Sequence, residues 1–248
     1  MFKKLALALA VAAALPASAL TTGDLAFTAF NADEDGFAMV ALADVAANTT
    51  VYFSDNEWSG TAFNTGESFS SWLSGAAVVN AGTVIRFSKT DNATLLAASV
   101  GTLSRETVAL SANWGLSQGA DTVYAYLGTS AVAPTTFLSA ISSGIFGTAA
   151  DGTLANTGLA IGDGAVQLSA SSDFAEFSGA RAGQANFAGY KALVSNVANW
   201  TDSGDGSFAT SVPDTTAFTV SAVPEPETYA LMLAGLGALG LLASRRRA

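Results

Sequence analysis

No cysteine and no histidine occur among the 248 residues. Without cysteine there is no disulfide, so the fold must be held by a buried core. The stretch between the two chain ends, about 200 residues, is long enough to build one. Without histidine there is no Ser-His-Asp triad, no histidine-ligated zinc or haem, and no use of the commonest general base. Chemistry by paired carboxylates is left open. Basic residues are scarce, ten Lys and Arg against 20 Asp and Glu, for a net charge of −10. Half of them (Lys3, Lys4, Arg245, Arg246 and Arg247) sit at the ends, so residues 20–222 hold 18 acidic and five basic side chains, a net −13. That balance keeps a domain soluble and excludes the basic footprint that nucleic acid requires. No phosphate loop is present; Gly162-Asp163-Gly164 lacks the rest of a nucleotide fingerprint and reads as a turn. No Pro-rich or charge-rich linker and no internal repeat divides the middle, which reads as one domain over 20–222.

The ends read as address labels. Lys3 and Lys4 precede an apolar run, Leu5 to Leu15, and then Ala17-Ser18-Ala19, the three parts of a secretory signal peptide over residues 1–19 cut after Ala19. Residues 223–248 have three parts as well. Pro224-Glu225-Pro226 is held extended by prolines that lack backbone donors. An apolar run to Ala243 follows, and Arg245, Arg246 and Arg247 act as a cytoplasmic stop-transfer cluster. As a permanent anchor the run is poor, because the 15 residues Tyr229 to Ala243 span only about 22 Å as a helix, against a hydrocarbon core of about 30 Å. Gly235, Gly237 and Gly240 weaken it further.

This tail resembles the PEP-CTERM sorting signal of Gram-negative bacteria that make extracellular polysaccharide. The resemblance implies an exported substrate of an exosortase, a membrane-embedded, cysteine transpeptidase-like enzyme that removes the tail. The protein would be held briefly in the inner membrane and then released to the cell surface or extracellular matrix.

The middle favours strands. Leu25–Phe30, Gly36–Leu42, Thr49–Ser54, Thr83–Phe87, Asp121–Leu127, Ala165–Leu168 and Ala217–Ser221 show alternation or β-branched and aromatic clusters, separated by Gly, Asn, Asp and Ser. Pro134–Ser142 and Phe187–Ala198 read as short helices, and 55–75 and 144–164 as long irregular loops. The expected fold is all-β, a β-sandwich with one or two short helices between cleavable targeting helices. The stretches Gly23–Asn31, Gly36–Val40 and Thr49–Asn56, with Ala198-Asn199-Trp200-Thr201, are similar in pattern to lamin-tail-type sandwiches of secreted bacterial proteins. That likeness implies a sandwich and no catalytic residue.

Three places could carry chemistry. Asn31, Asp33 and Asp35, followed by Gly36, copy the front of a calcium loop, but Leu42 stands where an EF-hand needs its closing Glu. A hairpin turn is the expected reading, with calcium between sandwich loops as the alternative. Asp202-Ser203-Gly204-Asp205-Gly206 is weighed the same way. Asp55, Glu57 and Trp58, with Glu67 and Trp72 in the next stretch, combine carboxylates with rings, the equipment for contacting or cleaving a sugar. Core packing is the plainer use of those tryptophans. Altogether the chain reads as a non-enzymatic exported protein, needing no cofactor, with a structural or adhesive role in biofilm and exopolysaccharide as a partner. A calcium- or carbohydrate-binding lectin-like module and a carboxylate-based glycosidase are the alternatives.

Overall fold

The computed structural model describes residues 19–221 and the short helical stretch 231–236. The expected signal peptide up to Ser18, the Pro224-Glu225-Pro226 motif and Arg245 to Arg247 lie outside the described residues. Among the described residues no helix is long and apolar enough to cross a membrane.

Thirteen strands follow in chain order. They are β1 (Leu25–Asn31), β2 (Gly36–Ala41), β3 (Thr50–Ser54), β4 (Phe69–Leu73), β5 (Val84–Ser88), β6 (Ala97–Ala98), β7 (Thr102–Arg105), β8 (Thr122–Ser130), β9 (Ala133–Ser142), β10 (Ala160–Ile161), β11 (Gly164–Gln167), β12 (Phe174–Phe177) and β13 (Trp200–Asp202). Within residues 19–221 a short α-helix, α1 (Lys191–Ser195), is flanked by 3-10 turns at Phe187–Tyr190 and Val197–Asn199. The strands form two sheets. One has six strands in the order β13-β12-β1-β2-β5-β6, and the other seven in the order β10-β11-β9-β8-β3-β4-β7. The expected sandwich is the observed architecture.

Aromatic side chains from both sheets meet between them. Phe37 of β2 lies 5.5 Å from Phe27, 5.0 Å from Phe87 and 5.0 Å from Phe53 of the opposite sheet, and Trp72 packs edge-on against Phe87 at 5.8 Å. Alternation then sends Tyr124 and Tyr126 of β8 to the outer face of the seven-stranded sheet, while Val123 and Ala125 face the sandwich interior. A second apolar cluster forms on that outer face, from Trp58, Tyr124, Tyr126, Phe137 and Leu159 with Phe63 against them.

Topology explains the long loops. β9 and β11 run parallel, so the chain must cross between them through a long connection. The crossing residues, 143–163, lie over the outer cluster, and so does the β3–β4 connection. Strand β4 emerges within 55–75 and β10 within 144–164, both expected to be irregular throughout, and β6, β7, β12 and β13 lie where no strand is expected.

Pro134–Ser142, expected as a helix, is strand β9, paired with β8 along its whole length. Thr135, Thr136, Phe137 and Ile141 suit a half-buried pleat. Pro134 sits opposite Gly128 at a shift in register beside the hairpin tip, where the missing donor does little harm. The expected helix Phe187–Ala198 is broken into three. Asn186 and Asn196 each accept a backbone N–H, from Gly189 and Ala198 at 3.0 Å, starting a fresh turn at each place.

Ala217–Ser221 is not a strand of either sheet; Val220 makes a single parallel bridge to Gln184. It ends a strap that follows β12. Phe208 stacks on Phe174 at 5.6 Å, the Asp214 N–H donates to Glu176 Oε2 at 3.0 Å, and Phe218 stacks on Phe177 at 5.5 Å.

Replacing Phe37 by Ala removes the ring that touches both sheets. The expected loss is about 3–5 kcal/mol of unfolding free energy, read from urea denaturation of the body. A loss under about 1 kcal/mol would mean that the sheets are joined elsewhere.

Candidate functional site

A groove lies between the two loops that cross the outer face. Glu57, Trp58, Ser59 and Asn64 line one side, and Gly147, Thr148, Gly152, Thr153 and their alanine neighbours the other, around a volume of about 440 Å³. The loops are tied together at its base. Thr153 N–H donates to the Trp58 carbonyl at 2.9 Å, the Trp58 indole N–H to the Ala155 carbonyl at 2.9 Å, and Asn156 Nδ2 to the Gly60 carbonyl at 2.9 Å. Gly152 has φ +73°, and a Cβ there would stand 2.5 Å from the Tyr124 hydroxyl. Only glycine lets this loop settle so close to the tyrosine.

The lining holds one carboxylate, Glu57, braced by a side-chain hydrogen bond from Asn64, whose Oδ1 accepts the Glu57 N–H at 3.0 Å. Hydroxyls of Ser59, Thr148 and Thr153 and the backbone of small residues complete it. Among the described residues no cation lines the groove. A neutral polyhydroxylated ligand suits such a surface, and an anion does not.

Of the residues expected to contact sugar, only Glu57 and Trp58 reach this groove. Trp58 is 6% exposed, wedged edge-on against Phe63 at 5.1 Å and against Phe137 at 5.0 Å, so its ring has little free face. Trp72 is fully buried in the inter-sheet core, donating its indole N–H to the Val100 carbonyl at 2.7 Å, and offers nothing to a ligand. Asp55 is 4% exposed and turned inward.

Asp55 belongs instead to a buried carboxyl cluster. Its Oδ1 accepts the Ser68 N–H and hydroxyl, both at 2.7 Å, while its Oδ2 has no partner. A void of about 10 Å³ beside it, between Phe37, Phe53 and Leu116, has room for at most one water. Asp121, also buried, accepts N–H bonds from Ser117 and Thr122, each at 2.7 Å. Burial pushes Asp55 up to about 7, with the charge of Glu67 adding to it. Burial likewise pushes Glu67 to about 7, helped by Glu57, and holds Asp121 well above the usual range, helped by Asp55 and Glu67. The sequence marked Asp55 and Glu67 by their nearness to tryptophan. Nothing in it marked Asp121, because its burial comes from loops 22 or more residues away, including the Ser143 hydroxyl that accepts its N–H.

The three residues of the calcium-like segment serve the β1–β2 turn. Asn31 Oδ1 accepts the Glu34 N–H, and its Nδ2 donates to the Phe208 and Ser211 carbonyls at 3.0 and 3.1 Å. Asp33 accepts from Gln118 and from the Phe208 N–H. Asp35, at φ +56°, accepts the Leu116 N–H at 2.7 Å. The three side chains are thus spent on fastening the turn to itself and to the segments 116–118 and 208–211. Among the described residues no group of three or more acidic side chains is placed to hold a metal ion. In the second acidic segment, hydrogen bonds from Ser172 and Ser169 outweigh burial and hold Asp202 below the usual carboxylate range.

The site says nothing about the tail. Comparison with protein families does. Residues 222–247 match the PEP-CTERM protein-sorting motif. The motif implies an exported protein processed by an exosortase, and proteins carrying it are typically anchored at the cell surface. The match spans Pro224, Glu225, Pro226 and all three terminal arginines. No curated protein and no solved structure matches the chain, and the lamin-tail-like likeness of the body gains no relative.

A pH dependence follows from the carboxyl cluster. Asp35 (about 6), Asp55, Glu67 and Asp121 are raised in the fold, whereas unfolded carboxyls titrate near 4. Their contribution is therefore complete below about pH 4 and is lost as pH rises through about 6–7. Asp202 and Asp214 are lowered, so theirs is lost as pH falls below about 4. Tm should fall between about pH 5 and pH 8, and Asp55→Asn should flatten that fall. A Tm that rises over the same range would refute the assignment.

Proposed function

We propose that this chain is an exported surface or extracellular-matrix protein with a non-enzymatic, structural or adhesive role in biofilm. The observation that carries the reading is the sorting motif at 222–247, attached to an acidic sandwich. The signal peptide takes the chain across the inner membrane, the tail holds it there in transit, and an exosortase removes the tail. Support for a non-enzymatic role comes from the groove. Glu57 is the single carboxylate in its lining, whereas a standard glycosidase places two across the bond it cuts.

The groove favours one refinement, the carbohydrate-binding alternative. Its hydroxyl-rich, cation-free lining suits neutral sugar residues of an exopolysaccharide, and its volume lies in the range of small-ligand sites. Binding there would make the body an adhesive contact with the matrix rather than an inert filler.

Two measurements test these readings. Intact mass of the exported protein should lack Arg245 to Arg247, and the Pro224→Ala/Pro226→Ala variant should remain full-length and membrane-held. Retention of the arginines in the native product would end the exosortase reading. For the groove, Ala149→Trp fills the space from an exposed position. It should abolish retention of the body on neutral exopolysaccharide while leaving Tm within a few degrees. Undiminished retention would move binding elsewhere.

A further inference from the structure

The last described residues of the body are fastened, not trailing. Phe218 is 2% exposed, stacked on Phe177, edge-on to Tyr190 at 5.0 Å and beneath the Arg181 guanidinium at 5.0 Å. Its N–H donates to the Gly82 carbonyl at 2.8 Å. Thr219 N–H donates to the Arg181 carbonyl and Ser221 N–H to the Gln184 carbonyl, both at 2.8 Å, and the Tyr190 hydroxyl donates to the Thr219 carbonyl at 2.6 Å. Gly82, at φ +90°, makes the room: a Cβ there would lie 2.3 Å from the Phe218 carbonyl oxygen. The chain therefore stays bound to the body up to Ser221.

Only Ala222 and Val223 separate Ser221 from Pro224. Three residue steps reach about 10 Å at full extension, so Pro224 stays that close to the point of attachment. The apolar run begins near Ala230, nine steps on, which limits the body to about 30 Å from the membrane. Whatever takes the motif must approach the face where the strap ends. That face suits the approach, since residues 182–189 (Ala-Gly-Gln-Ala-Asn-Phe-Ala-Gly) carry no charge in a body of net −13. Ala182, Gly183, Ala185, Asn186 and Ala188 are exposed there. Small uncharged residues allow close contact without the repulsion that the acidic remainder of the surface would meet at an anionic bilayer.

We infer that the strap is a docking clamp: by fastening Phe218 to Ser221, it obliges the enzyme that processes the tail to sit against residues 182–189. The occupant is that enzyme, and the inference rests on the sorting reading above. The β1–β2 turn lies at the far end of β2, about 20 Å from Gly82, and Ala120 in the loop beside that end serves as the control.

The test uses full-length protein in its exporting host, with a photo-crosslinking residue at Ala185 or at Ala120, both exposed, and an exosortase whose catalytic cysteine is replaced to hold its substrate. Ala185 should capture the enzyme several-fold more than Ala120. Inserting about twelve Gly and Ser residues after Ser221 frees the tether without touching the fold, and should erase that preference. With active enzyme, intact mass should still show tail removal for the inserted form. Equal capture at both positions, capture of lipid alone from Ala185, or a preference that survives the insertion would each overturn the clamp while tail removal continues. Retention of Arg245 to Arg247 with active enzyme would instead bring down the sorting reading and the clamp with it.

Discussion

The contact of Phe37 with Phe53 across the sandwich, 5.0 Å between ring centres, is the interaction on which the other layers rest. Phe53 also meets Phe87 at 4.9 Å, so two rings from the six-stranded sheet clasp one from the seven-stranded sheet. With no disulfide to join the sheets, this burial of large apolar area sets their separation. Once the interior is filled by Phe53, Val123 and Ala125, the pleat sends Tyr52, Tyr124 and Tyr126 outward. A sheet with aromatic rings on both faces needs a second cover, and the two long loops supply it.

The groove is a consequence of that second cover. Residues 57–64 and 147–155 meet over Tyr124 and Phe137, and the space left between them is lined by whatever small and polar residues the loops present. Asp55 and Asp121 are taken out of water elsewhere, Asp55 beside the small void between Phe37, Phe53 and Leu116. Their hydrogen bonds come from Ser68, Ser117 and Thr122, but the unpartnered Oδ2 of Asp55 shows that a proton suits the site better than a charge. The groove and the pH dependence therefore have separate origins in the packing. The strap has another, the exposed edge of Phe177 and Tyr190, which Phe218 covers.

Much of this is legible in the sequence. Strands β1, β2, β3, β5 and β11 fall where the β-branched and aromatic clusters between turn residues place them. β9 was misread as a helix because Pro134 and a following Gly144 imitate helix punctuation; pairing with β8, a tertiary event, decided otherwise. At the candidate site, Glu57 and Trp58 were found by their proximity to a strand end. Asn64, Thr148 and Thr153 were not, since a groove between loops some 85 residues apart leaves no local pattern.

The sequence alone determined the address, because a sorting signal is read as linear chemistry: prolines that hold an extended segment, an apolar run, and arginines that stop transfer. It also determined that the body is acidic, free of histidine and cysteine, and built of strands, since composition and period-two patterning are local properties. Tertiary structure alone decided which acidic residues face inward, which tryptophan is core, where the groove opens, and where the strap up to Ser221 is fastened. Those outcomes depend on which distant segments cover each face of a sheet, and that choice belongs to the packed fold as a whole.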